Sequence, residues 1–265
     1  MAATPFAPAR FEALRAERGL ALGSPLTLHA VTGSTNDDAL AAGRAGAPHG
    51  ATFVAERQTQ GRGRRGRAWF AAEGESLLCS VLLRVPLPLE AVSALALAAG
   101  LAVREAVAAV LPSYEERGLV RVKWPNDVWV EKRKIAGVLA ESQLQGGLLV
   151  AAVVGFGVNV MTAVFPNELT DTATSLHRLG AACAREELLV RALSALEVRT
   201  SRLVAGGAQA LSEELSQKDA LLGARVRVDG QVGVAAGIDD LGRLRLQLNQ
   251  NEIVLVSAGT VELLG

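Results

Sequence analysis

The chain has 265 residues, enough for one large domain or a domain of about 200 residues with a small appendage. Half of its residues are hydrophobic, and 27 Lys and Arg balance 27 Asp and Glu. A sizeable core is therefore expected, and the basic excess usual in chains whose main partner is nucleic acid is missing. Cys79 and Cys183 stand far apart in no metal-like spacing, which reads as two reduced thiols in a reducing cytosol. The N-terminus shows no apolar run of signal-peptide type, and stretches 91–101 and 148–154 are too short or interrupted to span a bilayer. These features predict a soluble cytoplasmic protein with no membrane and no DNA partner.

In chain order, residues 8–20 carry Phe11, Leu14 and Arg15 at helical spacing and read as a short amphipathic helix. Residues 26–31 read as a strand. Ser34-Thr35-Asn36-Asp37 offers capping side chains for a helix over 38–45. A strand is predicted over 51–56, a glycine- and arginine-rich loop over 58–67, a strand over 76–85 and a long core helix over 89–111. A strand over 119–124 stops at Pro125. Residues 128–130 and 135–143 read as paired strands around the turn Glu131-Lys132-Arg133, and Gly146-Gly147 as another turn. Residues 148–160 read as a buried strand broken by Gly155 and Gly157. A polar loop to Arg185 and two helices, over 186–204 and 208–218, complete a first domain, residues 1–218. Residues 224–228, 231–238, 241–248, 252–256 and 260–263 read as five short strands. They predict a small barrel in a second domain, residues 219–265.

Four segments can carry chemistry. In Gly61-Arg62-Gly63-Arg64-Arg65-Gly66-Arg67, glycines permit close backbone approach and arginines offer charged planar donors for phosphate or carboxylate. That describes a loop closing over an anion; a solvated surface loop or a nucleic-acid tail is the plainer alternative. The spelling also matches the dinucleotide fingerprint, but Ala68-Trp69-Phe70 does not open a helix. No kinase catalytic-loop sequence follows it. In Lys123-Trp124-Pro125-Asn126-Asp127, a proline ends a strand and two polar residues sit at the break, as in a ligand-contacting strand end or an ordinary turn. Lys134 then opens an apolar strand, either as a strand-edge residue or as an electrophilic clamp on a phosphate. Gly155-Phe156-Gly157-Val158-Asn159 marks core packing, a bulge, or a ligand lying on the backbone. Ser34-Thr35-Asn36 is either a helix cap or a set of donors for a neutral polar ring.

Taken together and in order, these segments resemble the catalytic domain of biotin protein ligases over about residues 25–215, and the tail resembles the family's SH3-like barrel. The resemblance implies an α+β fold, a mixed sheet flanked by helices followed by that barrel. It implies that Ser34, Thr35, Asn36 and Gln58 hold the biotin ring. Arg62, Gly63 and Arg64 would close over the biotin carboxylate and the adenylate phosphate, with Arg67 helping. Trp69 would line the apolar part, and Lys134 would bridge carboxylate and α-phosphate. Gly137 and Gly157 would leave room for the ligand. Asn126, Asp127 and Asn159 would lie near the ATP phosphates and Mg²⁺, with Asp127 or Asn159 as the metal candidates. Lys134, Arg64 and Arg67 are the expected catalytic residues.

The implied activity is ATP-dependent formation of biotinyl adenylate and transfer of biotin to a lysine of a biotin carboxyl carrier protein. Some 33 residues precede Ser34, too few for the winged-helix DNA-binding domain of bifunctional members, so the monofunctional type is expected. Two other readings remain: a lipoate or octanoate ligase or transferase of the same fold, and a nucleic-acid-binding protein using the arginine loop. No nucleophile–base pair is apparent, and His29, His49 and His177 form no triad, which suits a reaction needing no covalent enzyme intermediate.

Overall fold

Spatial order differs from chain order in the main sheet, and that difference brings the four segments together. The computed structural model describes residues 4–89, 92–145 and 148–264. Seven strands form the sheet: β1 (Leu26–Thr32), β2 (Thr52–Gln58), β3 (Ser76–Leu83), β4 (Val120–Lys123), β5 (Asp127–Val130), β6 (Arg133–Gln145) and β7 (Leu148–Asn159). Their order is β1-β2-β3-β7-β6-β5-β4. β1 and β2 run parallel and the other neighbours antiparallel, so the sheet is mixed. The expected turn at Gly146-Gly147 lies outside the described residues.

Side chains alternate across a sheet, and this alternation divides core from site. On β7, Val154, Phe156 and Val158 enter the main core, while Gly155, Gly157 and Asn159 face the other way. The expected break at the two glycines does not occur. β7 pairs in unbroken register with β3 from Ala152 to Asn159, and with β6 at Gly155 and Gly157. Pairing on both sides holds the backbone extended, so the missing side chains create space above the strand without bending it.

Helix α3 (Val92–Val110) is apolar but for Ser93, Arg104 and Glu105, with a mean hydropathy of 1.6 over its most apolar 18 residues. By length and composition alone it could cross a membrane, but here it is a core helix, packed between the sheet and α5 (Arg185–Gly206). α1 (Pro8–Glu17) packs on α5, anchored by the fully buried Phe11. On the opposite face, α2 (Thr35–Arg44) covers a smaller cluster of Ala39, Phe53, Leu82 and Val153. α4 (Pro112–Glu116) was not expected; five residues opened by a proline are too short to show helical periodicity. The expected helix over 208–218 is a 3-10 turn at Ala208–Leu211 followed by α6 (Ser212–Lys218).

Strands β8 (Arg225–Val228), β9 (Gln231–Ile238), β10 (Leu244–Asn249), β11 (Glu252–Val256) and β12 (Val261–Leu263) form the C-terminal SH3-like unit, an antiparallel sheet ordered β11-β10-β9-β8-β12. Its inward residues Val226, Val228, Leu244, Leu246 and Val261 belong to the same buried cluster as the underside of the main sheet. Trp124, 1% exposed, donates its Nε1 proton to the Gly242 carbonyl at 2.9 Å. The Ala220 amide donates to the Val122 carbonyl at 2.8 Å.

Candidate active site

A cavity of about 390 Å³ opens on the α2 face of the sheet. Every expected site residue lines it: Ser34, Thr35, Asn36, Gln58, Arg62, Gly63, Arg64, Arg67, Trp69, Asn126, Asp127, Lys134, Gly137, Gly157 and Asn159. Four strands, the loop after β2, the turn before β5 and one helix start supply them, although they span 126 positions of chain.

One end of the cavity is neutral and polar. α2 starts at Thr35, three residues earlier than expected, and Ser34 makes no side-chain capping bond. The first free amide of the helix is satisfied from outside: the Thr35 N–H donates to Gln58 Oε1 at 2.8 Å, and the Thr35 hydroxyl lies 3.0 Å from the same oxygen. Gln58 at the end of β2 thus caps the helix from a neighbouring strand and keeps its Nε2 protons for other use. Asn36 projects over Gly155, where an alanine Cβ would collide with the amide. The buried Ser80 hydroxyl donates to Asn36 Oδ1 at 2.6 Å, and Asn36 Nδ2 donates to Glu141 Oε2 at 2.5 Å. Ser80 and Glu141 were not foreseen. A carboxylate within the apolar run of β6 was the one available signal for Glu141; Ser80 gave none.

The middle of the cavity is aromatic. The indole of Trp69 rests on Gly137 and Gly157, so the room these glycines leave is taken first by Trp69. Its Nε1 is buried and has no partner among the described residues. A buried donor without an acceptor is costly, and this one lies against Gly157 in the cavity floor.

The other end is cationic. Lys134 Nζ stands 2.7 Å from Asp127 Oδ1 and 5.3 Å from the centre of the Trp69 rings. The backbone of Lys134 is clamped by the segment after β7: its N–H donates to the Thr172 carbonyl at 2.8 Å and its carbonyl accepts from the Thr174 N–H at 2.9 Å. Lys123 also lines this end, where burial pulls its ammonium pKa down against the pull of Asp127. Asn126 Nδ2 donates to the Val138 carbonyl at 2.7 Å and Asn159 Nδ2 to the Thr174 carbonyl at 3.0 Å, which fixes both amides with an oxygen left over.

The four loop arginines divide into two kinds. Arg62 is bidentate on Asp37, both bonds 2.6 Å, and lies 3.3 Å from both oxygens of Glu141. The hydrogen bond from Arg62 holds the Asp37 carboxyl below its usual range. Arg65 pairs with Asp229 of the C-terminal unit at 2.7 Å. Arg64 and Arg67 make no side-chain hydrogen bond or ion pair among the described residues, and burial lowers the Arg64 pKa. They are the loop cations with capacity for a ligand anion. The loop folds back on itself, the Gly63 N–H donating to the Arg67 carbonyl at 2.6 Å and the Trp69 N–H to the Gly61 carbonyl at 3.0 Å.

Sequence comparisons match both units of the chain. The Biotin/lipoate A/B protein ligase family matches residues 29–159, and the biotin protein ligase C terminal domain matches residues 222–264. The biotin–[acetyl-CoA-carboxylase] ligase of Mycobacterium tuberculosis is 42% identical over 247 residues, covering 89% of this chain and 88% of that protein. The bifunctional ligase/repressor BirA of Bacillus subtilis is 32% identical over 89% of this chain and 74% of its own length. Among solved structures, the biotin protein ligase from Aquifex aeolicus in complex with biotin and ATP superposes with a TM-score of 0.76 at 29% identity, covering 91% of this chain and 98% of that one. The chain belongs to the biotin protein ligase family.

Proposed function

We propose that this protein activates biotin with ATP and passes the biotinyl group to a lysine of a biotin carboxyl carrier domain. The observation that carries the reading is one cavity with a neutral polar end, an aromatic middle and a cationic end. Biotin has the matching order: a ureido ring, an apolar chain and a carboxylate. Ser34, Thr35, Asn36 and Gln58 offer donors and acceptors to the ring, Trp69 covers the chain, and Lys134 stands where carboxylate and α-phosphate would join, with Arg64 and Arg67 turned to the phosphates.

In the first step a carboxylate oxygen attacks the α-phosphorus of ATP, and pyrophosphate leaves with the electrons of the broken P–O bond. Two anions must approach each other, and the fixed cations offset that repulsion. Lys134 is aimed by Asp127 and by its doubly clamped backbone, so it stabilises charge on the phosphoryl oxygens without first reorganising. A magnesium ion would come bound to the nucleotide's phosphates and would need only one or two protein oxygen donors. Asp127 and Asn159 are the donors on that wall, and the ion would neutralise the leaving pyrophosphate. In the second step a deprotonated lysine amine attacks the adenylate carbonyl carbon and AMP leaves. No enzyme nucleophile is required.

The acetyl-CoA carboxylase in the names of relatives from Mycobacterium tuberculosis and Paracoccus denitrificans supports a carboxylase carrier domain as acceptor. The two free cysteines suit a reducing cytoplasm as the place of action. Two of the four loop arginines are consumed by ion pairs, which leaves little of the loop for a nucleic-acid backbone. The test is biotin-dependent ATP–pyrophosphate exchange, run beside lipoate and octanoate, followed by transfer to a carrier domain. Exchange with lipoate or octanoate and not with biotin would overturn the substrate assignment. DNA retention without any exchange would overturn the reaction.

A further inference from the structure

The C-terminal unit reaches the rim of the cavity at two points, both on the cationic side. Arg65, half-exposed in the tight turn Arg64–Gly66, places Nη1 3.0 Å from Asp229 Oδ1 and Nη2 2.7 Å from Asp229 Oδ2. Arg65 has a φ of 57°, a left-handed conformation that side chains with a Cβ seldom adopt. Asp229 stands in the turn between β8 and β9 and is itself aimed by the Thr260 N–H, which donates to Oδ1 at 3.1 Å. The hydrogen bond from Arg65 and that from Thr260 pull its carboxyl down to about 2, so the pair stays charged across the neutral range. At the second point, Lys123 Nζ donates to the Val261 carbonyl at 2.9 Å, next to Thr260 in the chain.

We infer that Asp229 is a positioning residue for the nucleotide step, because its two-pronged pair with Arg65 sets the turn from which Arg64 and Arg67 point into the cavity. The inference rests on the proposed reading of the cavity. Arg65 does not line the cavity, whereas its neighbours Arg64 and Arg67 do. An ion pair outside the ligand space, fixed to a different β-unit, holds the loop by its back and leaves its front free for phosphate. The biotin-ring end of the cavity, built on α2, β2 and β3, receives no contact from Asp229. Loosening Asp229 therefore weakens the use of ATP more than the binding of biotin.

The experiment uses the full chain and compares the parent with Asp229→Asn, Asp229→Arg and the exchanged pair Arg65→Asp with Asp229→Arg. Glu262→Gln serves as control, since it removes a similar exposed pair, Arg227–Glu262 at 2.6 Å, elsewhere on the same sheet. Steady-state exchange is expected to show KM for ATP raised about two- to fivefold in Asp229→Asn, the range open to a well-formed exposed pair. KM for biotin should stay near the parent value, and the effect should shrink in high salt as screening removes the pair from the parent. The exchanged pair should recover most of what Asp229→Arg loses, and Glu262→Gln should match the parent. Without ligands, trypsin should cut the loop faster in Asp229→Asn than in the parent. An unchanged KM for ATP together with an unchanged tryptic rate would overturn the inference, as would an exchanged pair no better than Asp229→Arg. Absence of biotin-dependent exchange in the parent would instead overturn the proposed function, and the tryptic rates would still decide whether Asp229 holds the loop.

Discussion

The indole of Trp69 lies so close to the backbone of Gly157 that a Cβ there would stand 2.5 Å from Cε2. Gly137, its partner across β6 and β7, is nearly as close, with Cζ3 at 2.9 Å from a Cβ position. The floor of the cavity is thus a seat for a tryptophan that then forms the wall a ligand meets.

Gly157→Ala should therefore displace the indole. Overpacking of this kind costs about 1–3 kcal/mol, and the shifted ring should weaken biotin binding at the same time. Urea unfolding and calorimetric titration with biotin check both effects. Unchanged biotin affinity in a folded variant would show that Trp69 does not wall the biotin site.

Lys134→Ala should damage adenylation far more than biotin binding. Its charge opposes the negative charge that develops on the phosphoryl oxygens, so the loss falls on the transition state. By analogy with removal of one oxyanion-hole donor, kcat should fall by about 10²–10³. Exchange kinetics at saturating substrates and calorimetry for biotin separate the two. Collapse of biotin affinity with a normal saturated rate would contradict the role given to Lys134.

Arg64→Gly should yield an enzyme that loses its intermediate. Arg64 has no protein partner among the described residues and sits in a loop tied down at Arg62 and Arg65. A charge-assisted contact to the adenylate phosphate is worth about 1.5–3 kcal/mol, which corresponds to roughly ten- to hundredfold faster escape. Escaped adenylate acylates any exposed amine. Incubation with biotin, ATP and an unrelated lysine-rich protein should label the bystander more than the parent does. Normal adenylation with no extra labelling would assign retention to another residue.

Asp219→Asn should stabilise the protein at neutral pH. Asp219 is buried where the two β-units meet; its Oδ1 accepts from the Leu221 N–H and its Oδ2 has no partner among the described residues. Burial raises its pKa from 3.8 to about 6, so the folded state holds the proton more tightly than the unfolded chain. Stability therefore falls as pH rises from about 4 to about 6, and the cost persists above that. Asparagine keeps the Oδ1 acceptor and removes the charge. The gain should reach at most about 3 kcal/mol near pH 7.5 and vanish near pH 4. Urea melts at the two pH values measure it; an equal difference at both would refute the titration.

Much of the fold was legible because its signals are local. Alternation along β8, the apolar runs of β3 and α3, and the turn Asp229-Gly230 follow from residues within a few positions of one another. Two of the misread elements were non-local in origin. β7 stays straight through Gly155 and Gly157 because strands on both sides hold it, and α2 begins at Thr35 because Gln58 satisfies its first amide.

The chain's own chemistry settled which segments could handle an anion and a polar ring, since arginine, lysine, glycine and amide side chains carry those capacities wherever they lie. Only the tertiary structure decided how that capacity is shared out. Arg62 is claimed by Asp37 and Glu141, and Arg65 by Asp229, while Arg64 and Arg67 line the cavity with no side-chain partner among the described residues. Ser80 becomes part of the site through Asn36, and Gly137 and Gly157 become the seat of Trp69. Hydrogen bonds and close packing act over about 3–4 Å of space. The partners they join here lie from 23 to 164 residues apart, set beside each other by strand order.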